Sequence, residues 1–578
     1  MNNTKNLLLT GGEAIAVVLK REGINTIFAY PGTSELMLCN AIQKSRDLRL
    51  INGRGDKESA FMAAGAGLIK PLQACALLHG ARGLTNACGA IADIRRNEIS
   101  TVILAGLPSL SSQSFLPPHG EDGLINTIGK FSKSSEEITS LNPDEFIEKL
   151  SKTIIKARET PYGPVLLGVP QDVLEKKLIP ADFKLKKASG SKSTNSAQIT
   201  KAAKLIKSSK NPLILVDDYL FKTKDAVEIL SQLSLASRAP VLQVFYGRGP
   251  MLFEKIRISK CPSFLGYYKI NEAVSAELMK KCGVLITIED RNMYPRVVGK
   301  LPSCKKIAIT SFKEKSQKNK YLKKHDILIE GNTSWIMKKI ILKIDVKSNR
   351  RIFLNRCSKL REMKVHPDNN IKGKYSFLCE NLAGTLGEIL KEVKNPVVID
   401  DSQMFGGMIA KNYDFFPDNL RVFGDHGAFV GAGISFATGL AITSSNLKVL
   451  CLLGDQAFVN GFQGLSAAVE NKSKCIFIVL NNGESVSLFK QALSQDPHAF
   501  SNGKNFLKNI PSFSYTEIAK AIGLVVYKIE NNKNQMIDFK NILLKSLTID
   551  KPVFIEIEAP SNKDAWQGIW ITEGNETR

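Results

Sequence analysis

Two polar residues near the carboxyl end of the chain follow apolar runs and could bind a divalent cation. The run KVLCLL ends at Gly454 and Asp455, and the run CIFIVL is followed by Asn482. Asp455 and Asn482 lie 27 positions apart, a gap that a strand–helix–strand unit fills while bringing both strand ends to one edge of a parallel sheet. Magnesium prefers hard oxygen ligands. Asp455, the Asn482 side chain and the Glu484 carbonyl form the predicted metal site; the alternative is two ordinary strand ends.

Ionisable side chains near the amino end are candidates for acid–base chemistry. Glu58 lies in GDKESAFMAAGAG, among small and apolar residues that would raise the pKa of a carboxyl group. His79 follows the apolar run ACALL, and His119 lies in the loop SFLPPHGED. An imidazole titrates near neutral pH and could carry a proton. The alternatives are a solvated helix carboxylate, a histidine that only packs and an exposed loop histidine.

Apolar runs that alternate with amphipathic stretches predict the elements that hold these residues. Eight runs have the length of strands buried on both faces of a parallel sheet: STVILAG (100–106), PVLLGVP (164–170), NPLILVDD (211–218), GVLITIED (283–290), NPVVIDD (395–401), KVLCLLGD (448–455), CIFIVLNN (475–482) and PVFIEIEAP (552–560). Helix-like segments between them imply repeated βαβ units. Ligands of such sheets bind at the carboxyl ends of strands, where the polar residues fall.

Two stretches rich in Lys, Ser and Asn divide the chain into three consecutive α/β domains with mostly parallel sheets. These predicted linkers are residues 185–198 and about 346–374. The predicted domains are residues 1–184, 199–345 and 375–578. Each has the size of an ordinary globular domain with its own core.

The overall composition bears on partners and location. The 578 residues are 43% hydrophobic and 23% charged, with a net charge of +24. The lysines are spread along the chain without a recognisable nucleic-acid motif, so nucleic-acid binding is a weak alternative based on charge alone. Ten cysteines without a C-x-x-C pair argue against a disulfide framework or a zinc site. No apolar stretch reaches the roughly 18 residues of a membrane span, so we expect a cytoplasmic protein without membrane or nucleic-acid partners.

The segment GDQAFVNGFQGLSAAVENKSKCIFIVLNNG (454–483) resembles the diphosphate-binding motif of thiamine diphosphate enzymes. Nearly the whole chain is similar to the family of acetolactate synthase, benzoylformate decarboxylase and pyruvate oxidase. The resemblance implies thiamine diphosphate and Mg²⁺ as cofactors, and pyrimidine-binding, central and diphosphate-binding domains in that order. It places Gly454, Gln456 and Ala457 at the cofactor, although Gln456 stands where the family usually has glycine.

The resemblance also implies roles for residues of the first domain. Glu58 matches the glutamate that contacts the cofactor's pyrimidine ring and favours its activated tautomer. The string LHGARGLTN is similar to benzoylformate decarboxylase, and this similarity places His79 and Thr33 at the substrate. The Phe-Gln-Glu triplet of acetolactate synthases is absent; its loop instead contains His119, the second proton-transfer candidate, with the nearby residues Pro117, Pro118, Glu121 and Asp122.

In the third domain the resemblance implies further cofactor contacts. Asp401, Ser402 and Gln403 match a loop that helps to hold the diphosphate. Val430 matches the hydrophobic side chain that wedges beneath the bent cofactor. Glycines would let the backbone approach the aminopyrimidine closely; they are Gly427, Gly431 and Gly433. The adjacent His426 is either a ligand contact or a turn residue.

The implied function is decarboxylation of a 2-oxo acid, after which the product is either protonated or joined to a second carbonyl compound. The two outcomes are equally supported at this point. A regulator that keeps the fold without turnover is the alternative, motivated by Gln456 and the missing triplet. The resemblance further implies a homodimer or homotetramer with active sites between subunits, and a central domain that acts mainly as scaffold.

Overall fold

The structure is a computed structural model that describes residues 7–112, 117–186, 196–244, 252–254, 256–270, 272–344, 350–364, 379–402, 416–424 and 429–560. Three sheets, each with six parallel strands, dominate these ranges. All eight predicted runs form strands of these sheets. The predicted α/β class with mostly parallel sheets is confirmed.

The N-terminal part of the chain forms one six-stranded sheet and one small strand pair. Its strands are β1 (Leu8–Thr10), β2 (Thr26–Tyr30), β3 (Arg49–Asn52), β4 (Ala74–Leu78), β5 (Thr101–Leu107), β6 (Ser134–Glu137), β7 (Pro164–Pro170) and β8 (Lys177–Pro180). The parallel sheet has the order β3-β2-β4-β5-β7-β6, and β1 pairs with β8. Because β3 and β4 lie on opposite sides of β2, the carboxyl ends of β2 and β4 flank a switch point at which ligands of such sheets bind.

The strands of the central sheet are all parallel and lie in the order β12-β10-β9-β13-β14-β15. One short strand of this segment, β11, joins a different sheet. The strands are β9 (Pro212–Val216), β10 (Val241–Val244), β11 (Leu252–Glu254), β12 (Phe264–Tyr268), β13 (Val284–Ile288), β14 (Lys305–Thr310) and β15 (Ile327–Glu330).

The C-terminal sheet has a switch point of its own. Its strands are β16 (Pro396–Asp401), β17 (Arg421–Gly424), β18 (Lys448–Gly454), β19 (Cys475–Asn481), β20 (Val525–Ile529) and β21 (Val553–Glu558). The order is β11-β17-β16-β18-β19-β21-β20, and β11 is antiparallel to β17. Since β17 and β18 lie on opposite sides of β16, the carboxyl ends of β16 and β18 flank the switch.

Helices cover both faces of these sheets. Short 3₁₀ turns lie at Thr33–Glu35, Leu110–Ser112 and Asp218–Lys222. The α-helices of the described residues are Gly11–Arg21, Leu36–Lys44, Asp56–Ala66, Ala81–Asn86, Cys88–Arg96, Leu124–Gly129, Pro143–Arg158, Gln171–Glu175, Ser196–Ser208, Ala226–Ser237, Ala273–Lys280, Pro295–Val298, Lys313–Lys318, Thr333–Ile344, Arg350–Met363, Cys379–Lys391, Ala432–Thr443, Asp455–Gly461, Gly464–Glu470, Val486–Gln495, Tyr515–Ile522 and Gln535–Ser546. Among the described residues, no helix is long and apolar enough to cross a membrane.

Two helices of small residues join the N-terminal and C-terminal domains. Asp56–Ala66 packs face to face on Ala432–Thr443, and both are buried along nearly their whole length. A Cβ atom on Gly65 would lie 2.1 Å from the Phe436 carbonyl oxygen, and one on Gly439 would lie 2.0 Å from the Met62 carbonyl oxygen. The helix axes approach so closely because glycine occupies both contact points.

A buried ion pair joins the N-terminal and central domains. Arg291, just after β13, contacts both carboxylate oxygens of Glu98 at 3.0 Å. It also donates to Glu289, Thr310 and Ser311. These five hydrogen bonds equal the number of N–H groups on a guanidinium, so the cation is fully paired.

The second predicted linker contains a helix. Arg350–Met363 lies within residues 346–374 and packs on the central domain through Phe353 and Cys357. The spacing of four places these two residues on one face, and the many charged neighbours conceal that face in the sequence. The interpretation of this stretch as linker alone was therefore wrong. The three domain limits themselves stay predictions.

Candidate active site

A cavity of about 380 Å³ lies at the carboxyl edge of the C-terminal sheet. Nine of the cofactor contacts predicted for this domain line it: Asp401, Ser402, Val430, Gly454, Asp455, Gln456, Ala457, Asn482 and Glu484. The predicted contacts Gly431 and Gly433 do not line it, and their amides donate to Asp401 instead. The predicted contacts Gln403 and Gly427, and the neighbouring His426, lie outside the described residues. The cavity therefore collects residues that follow four different strands, β16 to β19.

Three oxygen atoms converge at the position of the predicted metal. The Asn482 side-chain oxygen lies 3.1 Å from Asp455 Oδ2 and 2.7 Å from the Glu484 carbonyl oxygen. Hydrogen-bond acceptors that face one another repel each other unless a cation lies among them. The alternative is a rotated Asn482 amide, whose nitrogen would donate to both Asp455 Oδ2 and the Glu484 carbonyl oxygen. A carboxylate, an amide oxygen and a backbone carbonyl form a donor set suited to Mg²⁺.

Asp455 is buried, with 4% of its surface exposed. Burial raises the pKa of this carboxyl group to about 6, and a hydrogen bond from Asn509 opposes the rise. A bound cation would favour the charged form and lower the pKa again. Among the described residues no group of three or more His, Cys, Asp or Glu side chains is arranged to hold a metal ion, so Asp455 supplies the carboxylate of this site in company with neutral oxygens.

Asn509 supports Asp455, and sequence reasoning did not find it. Its amide donates to Asp455 Oδ2 at 2.6 Å and lies 3.1 Å from the Tyr515 hydroxyl oxygen. The side-chain amide of Gln456 in turn donates to the Asn509 oxygen. Gln456, which departs from the family motif, thus holds a residue that orients the candidate metal ligand.

Asp401 positions Val430 through the backbone. Its Oδ2 accepts hydrogen bonds from the Gly431 and Gly433 amides at 2.9 and 2.8 Å. Gly431 has a φ of +98°, which glycine adopts without strain. Val430 is half-buried and lines the cavity. Asp401 therefore acts on the predicted wedge, and its contact with a diphosphate stays a prediction.

Glu58 lies in the first turn of the helix Asp56–Ala66 and has 3% of its surface exposed. Its Oε1 accepts no hydrogen bond from the described residues, although Lys57 Nζ lies 3.2 Å away. A buried oxygen without a hydrogen-bond partner is costly in an isolated chain. This oxygen is available to a donor from a ligand.

His79 lies directly after β4 and contacts a second carboxylate that the sequence analysis missed. Its Nδ1 lies 3.0 Å from Glu35 Oε2, which also accepts from the Gly32 amide at 2.9 Å. The hydrogen bond to Glu35 raises the pKa of His79, against the lowering effect of burial. A signal for Glu35 was present: a glutamate three residues after Gly32 has the spacing at which a side chain reaches back to the first amide of a helical turn.

The remaining N-terminal candidates lie around His79. The ring centroids of His79 and His119 are 5.4 Å apart. Asp56 accepts from the His79 amide at 3.2 Å, and burial raises the pKa of its carboxyl group. Thr33 is exposed at the start of the turn after β2. The carboxyl edge of the N-terminal sheet thus collects two imidazoles, two carboxyl groups and a hydroxyl.

Among the described residues, the lining of the C-terminal cavity includes none of the N-terminal candidates. Its lining residues lie between positions 401 and 488. The Lys57 ammonium does reach the C-terminal domain, where it donates to the Asn460 carbonyl at 2.9 Å. Asn460 in turn donates to the Val430 carbonyl at 2.5 Å.

Comparisons with known proteins agree with this division. Residues 9–129 match the family described as thiamine pyrophosphate enzyme, N-terminal TPP binding domain. Residues 407–557 match the corresponding C-terminal TPP binding domain. The first match contains the N-terminal candidates, and the second contains the C-terminal candidates except Asp401, Ser402 and Gln403, which precede residue 407.

Relatives over most of the chain include two acetolactate synthases. The mitochondrial catalytic subunit of Saccharomyces cerevisiae is 22% identical over 95% of this chain and 80% of its own length. The probable large subunit of Methanocaldococcus jannaschii is 25% identical over 82% of this chain and 80% of its own length.

A solved structure has the same fold at low sequence identity. The thiamine diphosphate-dependent 4-hydroxybenzoylformate decarboxylase of Rhodococcus jostii RHA1 superposes with a TM-score of 0.75 at 18% identity, covering 96% of this chain and 100% of that chain. Two separate segments of the chain therefore match the two binding domains of thiamine pyrophosphate enzymes, and most of its length is similar to acetolactate synthases.

Proposed function

We propose that the protein uses thiamine diphosphate and Mg²⁺ to decarboxylate a 2-oxo acid and releases the product after protonation. The observation that carries the proposal is the convergence of the Asp455, Asn482 and Glu484 oxygens in the C-terminal cavity. Where the Asn482 oxygen faces these two acceptors, a bound cation stabilises the arrangement.

The residues at the two sheet edges fit the cofactor. Asp455, Asn482 and the Glu484 carbonyl would hold Mg²⁺, and the hydroxyls of Ser485 and Ser487, which line the cavity, are available to the diphosphate. Bound thiamine diphosphate supplies a nucleophilic carbon and an electron sink for the decarboxylation. The Glu58 Oε1, which accepts no hydrogen bond from the described residues although Lys57 Nζ lies 3.2 Å away, would share a proton with the ring nitrogen of the pyrimidine.

The histidines favour protonation over carboligation. His79 is held by Glu35, and its raised pKa favours the protonated, proton-donating form near neutral pH. His119 lies beside it. Two imidazoles at a substrate site provide general acids for release of an aldehyde. Carboligation, the activity in the names of the acetolactate synthase relatives, is the second candidate.

We further propose that the active site forms between two copies of this chain. The C-terminal cavity receives no N-terminal candidate from its own chain, and a symmetric dimer could bring Glu58 and His79 of one copy to the cavity of the other. The relatives are named as catalytic or large subunits, and these names suggest that an additional regulatory subunit also binds this chain. Cytoplasmic location stays a prediction.

A substrate panel tests the reaction. Purified protein would be incubated with thiamine diphosphate, Mg²⁺ and a series of 2-oxo acids, with release of carbon dioxide measured and products identified by mass spectrometry. An aldehyde as the main product supports protonation, and a ligated hydroxyketone supports carboligation. Cofactor binding without either product contradicts the enzyme proposal and favours the regulator.

Paired variants test the residues and the subunit arrangement. Glu58→Gln should abolish turnover, whereas the exposed Glu388→Gln should not. Glu58→Ala and Asp455→Ala proteins, inactive alone, should regain part of the activity after subunit exchange because mixed dimers contain one intact site. No recovery after verified exchange contradicts a shared site without affecting the cofactor assignment.

A further inference from the structure

A second cavity, of about 1050 Å³, lies in the central domain and contributes nothing to the site described above. It reaches the amino ends of β13 and β14, where Cys282 and Cys304 form part of its wall. Among the described residues that line it, none is Asp or Glu and five are lysines: Lys280, Lys300, Lys306, Lys320 and Lys323. We call it the lysine-lined cavity.

Lys306 is the most informative of these lysines because it is buried. Only 3% of its surface is exposed, and its ammonium group donates to one described acceptor, the Cys304 carbonyl, at 3.2 Å. An ammonium has three donors, and a buried charge without a paired anion is costly. Among the described residues no ion pair joins Lys306 to a carboxylate; the nearby Asp326 accepts from the backbone amides of Lys306 and Lys323 at 2.8 Å.

Asn319 provides an independent observation on the same wall. It lines the cavity, and only 6% of its surface is exposed. Its amide nitrogen donates to the carbonyls of Asp290 and Arg291, yet its Oδ1 has no partner among the described residues. The cavity therefore offers a buried cation and a buried acceptor that the described side chains leave uncompensated.

Part of the lining is apolar. Met279, Met293 and Val298 are buried residues of the lining, and Ile270 and Leu301 also belong to it. A cavity of this volume is at the upper end of the range for small-molecule sites. An occupant would present anionic groups to the lysines and an apolar body to the methionines.

The usual ligand position in the central sheet is filled by protein. Ligands of such sheets bind at the carboxyl ends of strands. At that position in the central sheet, all five N–H groups of Arg291 donate to protein oxygens, namely those of Glu98, Glu289, Thr310 and Ser311. Asp217 likewise accepts from the backbone and side chain of Asn292 at 2.9 and 3.1 Å. The buried Lys306 ammonium and Asn319 Oδ1 lie in the lysine-lined cavity, whereas the unpartnered Asp290 Oδ1 after β13 does not line it.

We propose that the lysine-lined cavity binds an organic phosphate that carries at least two negative charges and an apolar or planar body, of the size of a nucleoside diphosphate. The site is distinct from the proposed thiamine diphosphate site. It does not depend on the proposed function.

Calorimetric titration of the holoprotein tests the proposal. The protein would be saturated with thiamine diphosphate and Mg²⁺, so that the catalytic site is filled, and titrated with ADP, fructose 1,6-bisphosphate and adenosine. ADP should bind, and adenosine should not; fructose 1,6-bisphosphate tests whether two phosphate groups suffice without a planar body. Binding of ADP alone identifies a nucleotide site, and binding of both identifies a general organic-phosphate site.

Three variants locate the binding. Lys306→Gln should weaken phosphate binding about tenfold or more, because a hydrogen bond to a charged group is lost. The exposed Lys300→Gln should weaken it less, and it keeps the test informative if Lys306→Gln fails to fold. Lys338→Gln, an exposed lysine outside the cavity, should leave binding unchanged. A bound phosphate should also protect Cys304 from thiol labelling, read by peptide mass spectrometry.

Three results would overturn the proposal. The first is that neither phosphate binds below about 1 mM, the boundary of weak affinity. The second is that adenosine binds as tightly as ADP. The third is that Lys306→Gln and Lys300→Gln bind phosphate as tightly as Lys338→Gln does.

Discussion

The carboxyl edges of the C-terminal and central sheets both contain buried charges, yet they differ in how those charges are paired. In the central sheet, Arg291 satisfies all its donors on protein oxygens, with both Glu98 carboxylate oxygens at 3.0 Å. In the C-terminal sheet, the oxygens of Asp455, Asn482 and Glu484 face one another around a cavity. The same topological position holds a joint between domains in one case and a candidate ligand site in the other.

The difference shows that sheet topology marks where a site can form, and charge compensation decides whether one is present. A ligand adds no stability to an ion network whose charges are already paired, whereas a cation stabilises acceptors that face one another. Two members of the central network, Glu98 and Glu289, have φ values of +50° and +53°. Non-glycine residues keep this backbone conformation when their surroundings hold them in place, as the Arg291 contacts do here.

The largest expected effect is on catalytic activity and concerns the carboxyl edge of the C-terminal sheet. Asp455→Asn should lower kcat/KM by about 10³-fold or more, because the only carboxylate ligand of the proposed metal is lost. Mg²⁺-dependent binding of thiamine diphosphate, measured by fluorescence quenching, should fall in parallel, and removal of Mg²⁺ with EDTA should mimic the variant. The exposed Asp550→Asn is the control. Full Mg²⁺ affinity in Asp455→Asn would contradict the metal assignment.

The next largest effect is on protein stability and concerns the Arg291 network at the carboxyl edge of the central sheet. Arg291→Met should lower the free energy of unfolding by about 3–5 kcal/mol, because Glu98 and Glu289 are left buried without their cation. Urea unfolding measures this loss, with the exposed Arg46→Met as control. The affinity of the folded fraction for thiamine diphosphate should stay unchanged. A stability like that of the control would contradict the role of the network as a joint.

The third effect tests the Glu35–His79 pair. Glu35→Gln should lower kcat/KM on the order of tenfold to a hundredfold, the range seen when the carboxylate that orients a functional imidazole is removed. Since Glu35 raises the pKa of His79, the variant should lose the proton from His79 at lower pH. The alkaline limb of the kcat/KM profile should therefore move to lower pH. An unshifted limb, with activity like that of Glu388→Gln, would contradict the role of Glu35.

The smallest effect refines the metal site. Gln456→Ala removes the amide that holds Asn509 and should weaken Mg²⁺ binding roughly threefold to tenfold, as expected for one hydrogen bond. Asn509→Ala, which removes the direct contact with Asp455, should weaken it more. Calorimetry with Mg²⁺ and a constant concentration of thiamine diphosphate gives the order of the two variants. The reverse order would place Gln456 in direct contact with the cofactor.

Residues that follow strands were the ones that the sequence could locate. Asp455, Asn482 and Glu484 line one cavity because parallel strand ends meet at a common edge, and apolar runs such as KVLCLL and CIFIVL reveal those ends. The same argument places His79 at the end of β4. Such predictions need only the order of strands along the chain.

Contacts between distant loops were beyond that argument. Asn509 reaches Asp455 from 54 positions away, and Arg291 reaches Glu98 from 193 positions away. Nothing in the local pattern of either segment indicates the other. The helix Arg350–Met363 was missed for a different reason, since its buried face consists of little more than Phe353 and Cys357.

The short strand β11 has a consequence for how the chain can be divided. It comes from the middle of the sequence, yet it covers the free side of β17 in the C-terminal sheet through an antiparallel pair. An uncovered sheet edge offers unpaired backbone groups to other molecules and promotes aggregation. A fragment that begins after the central segment would expose that edge, so the C-terminal domain depends for its solubility on residues of its neighbour.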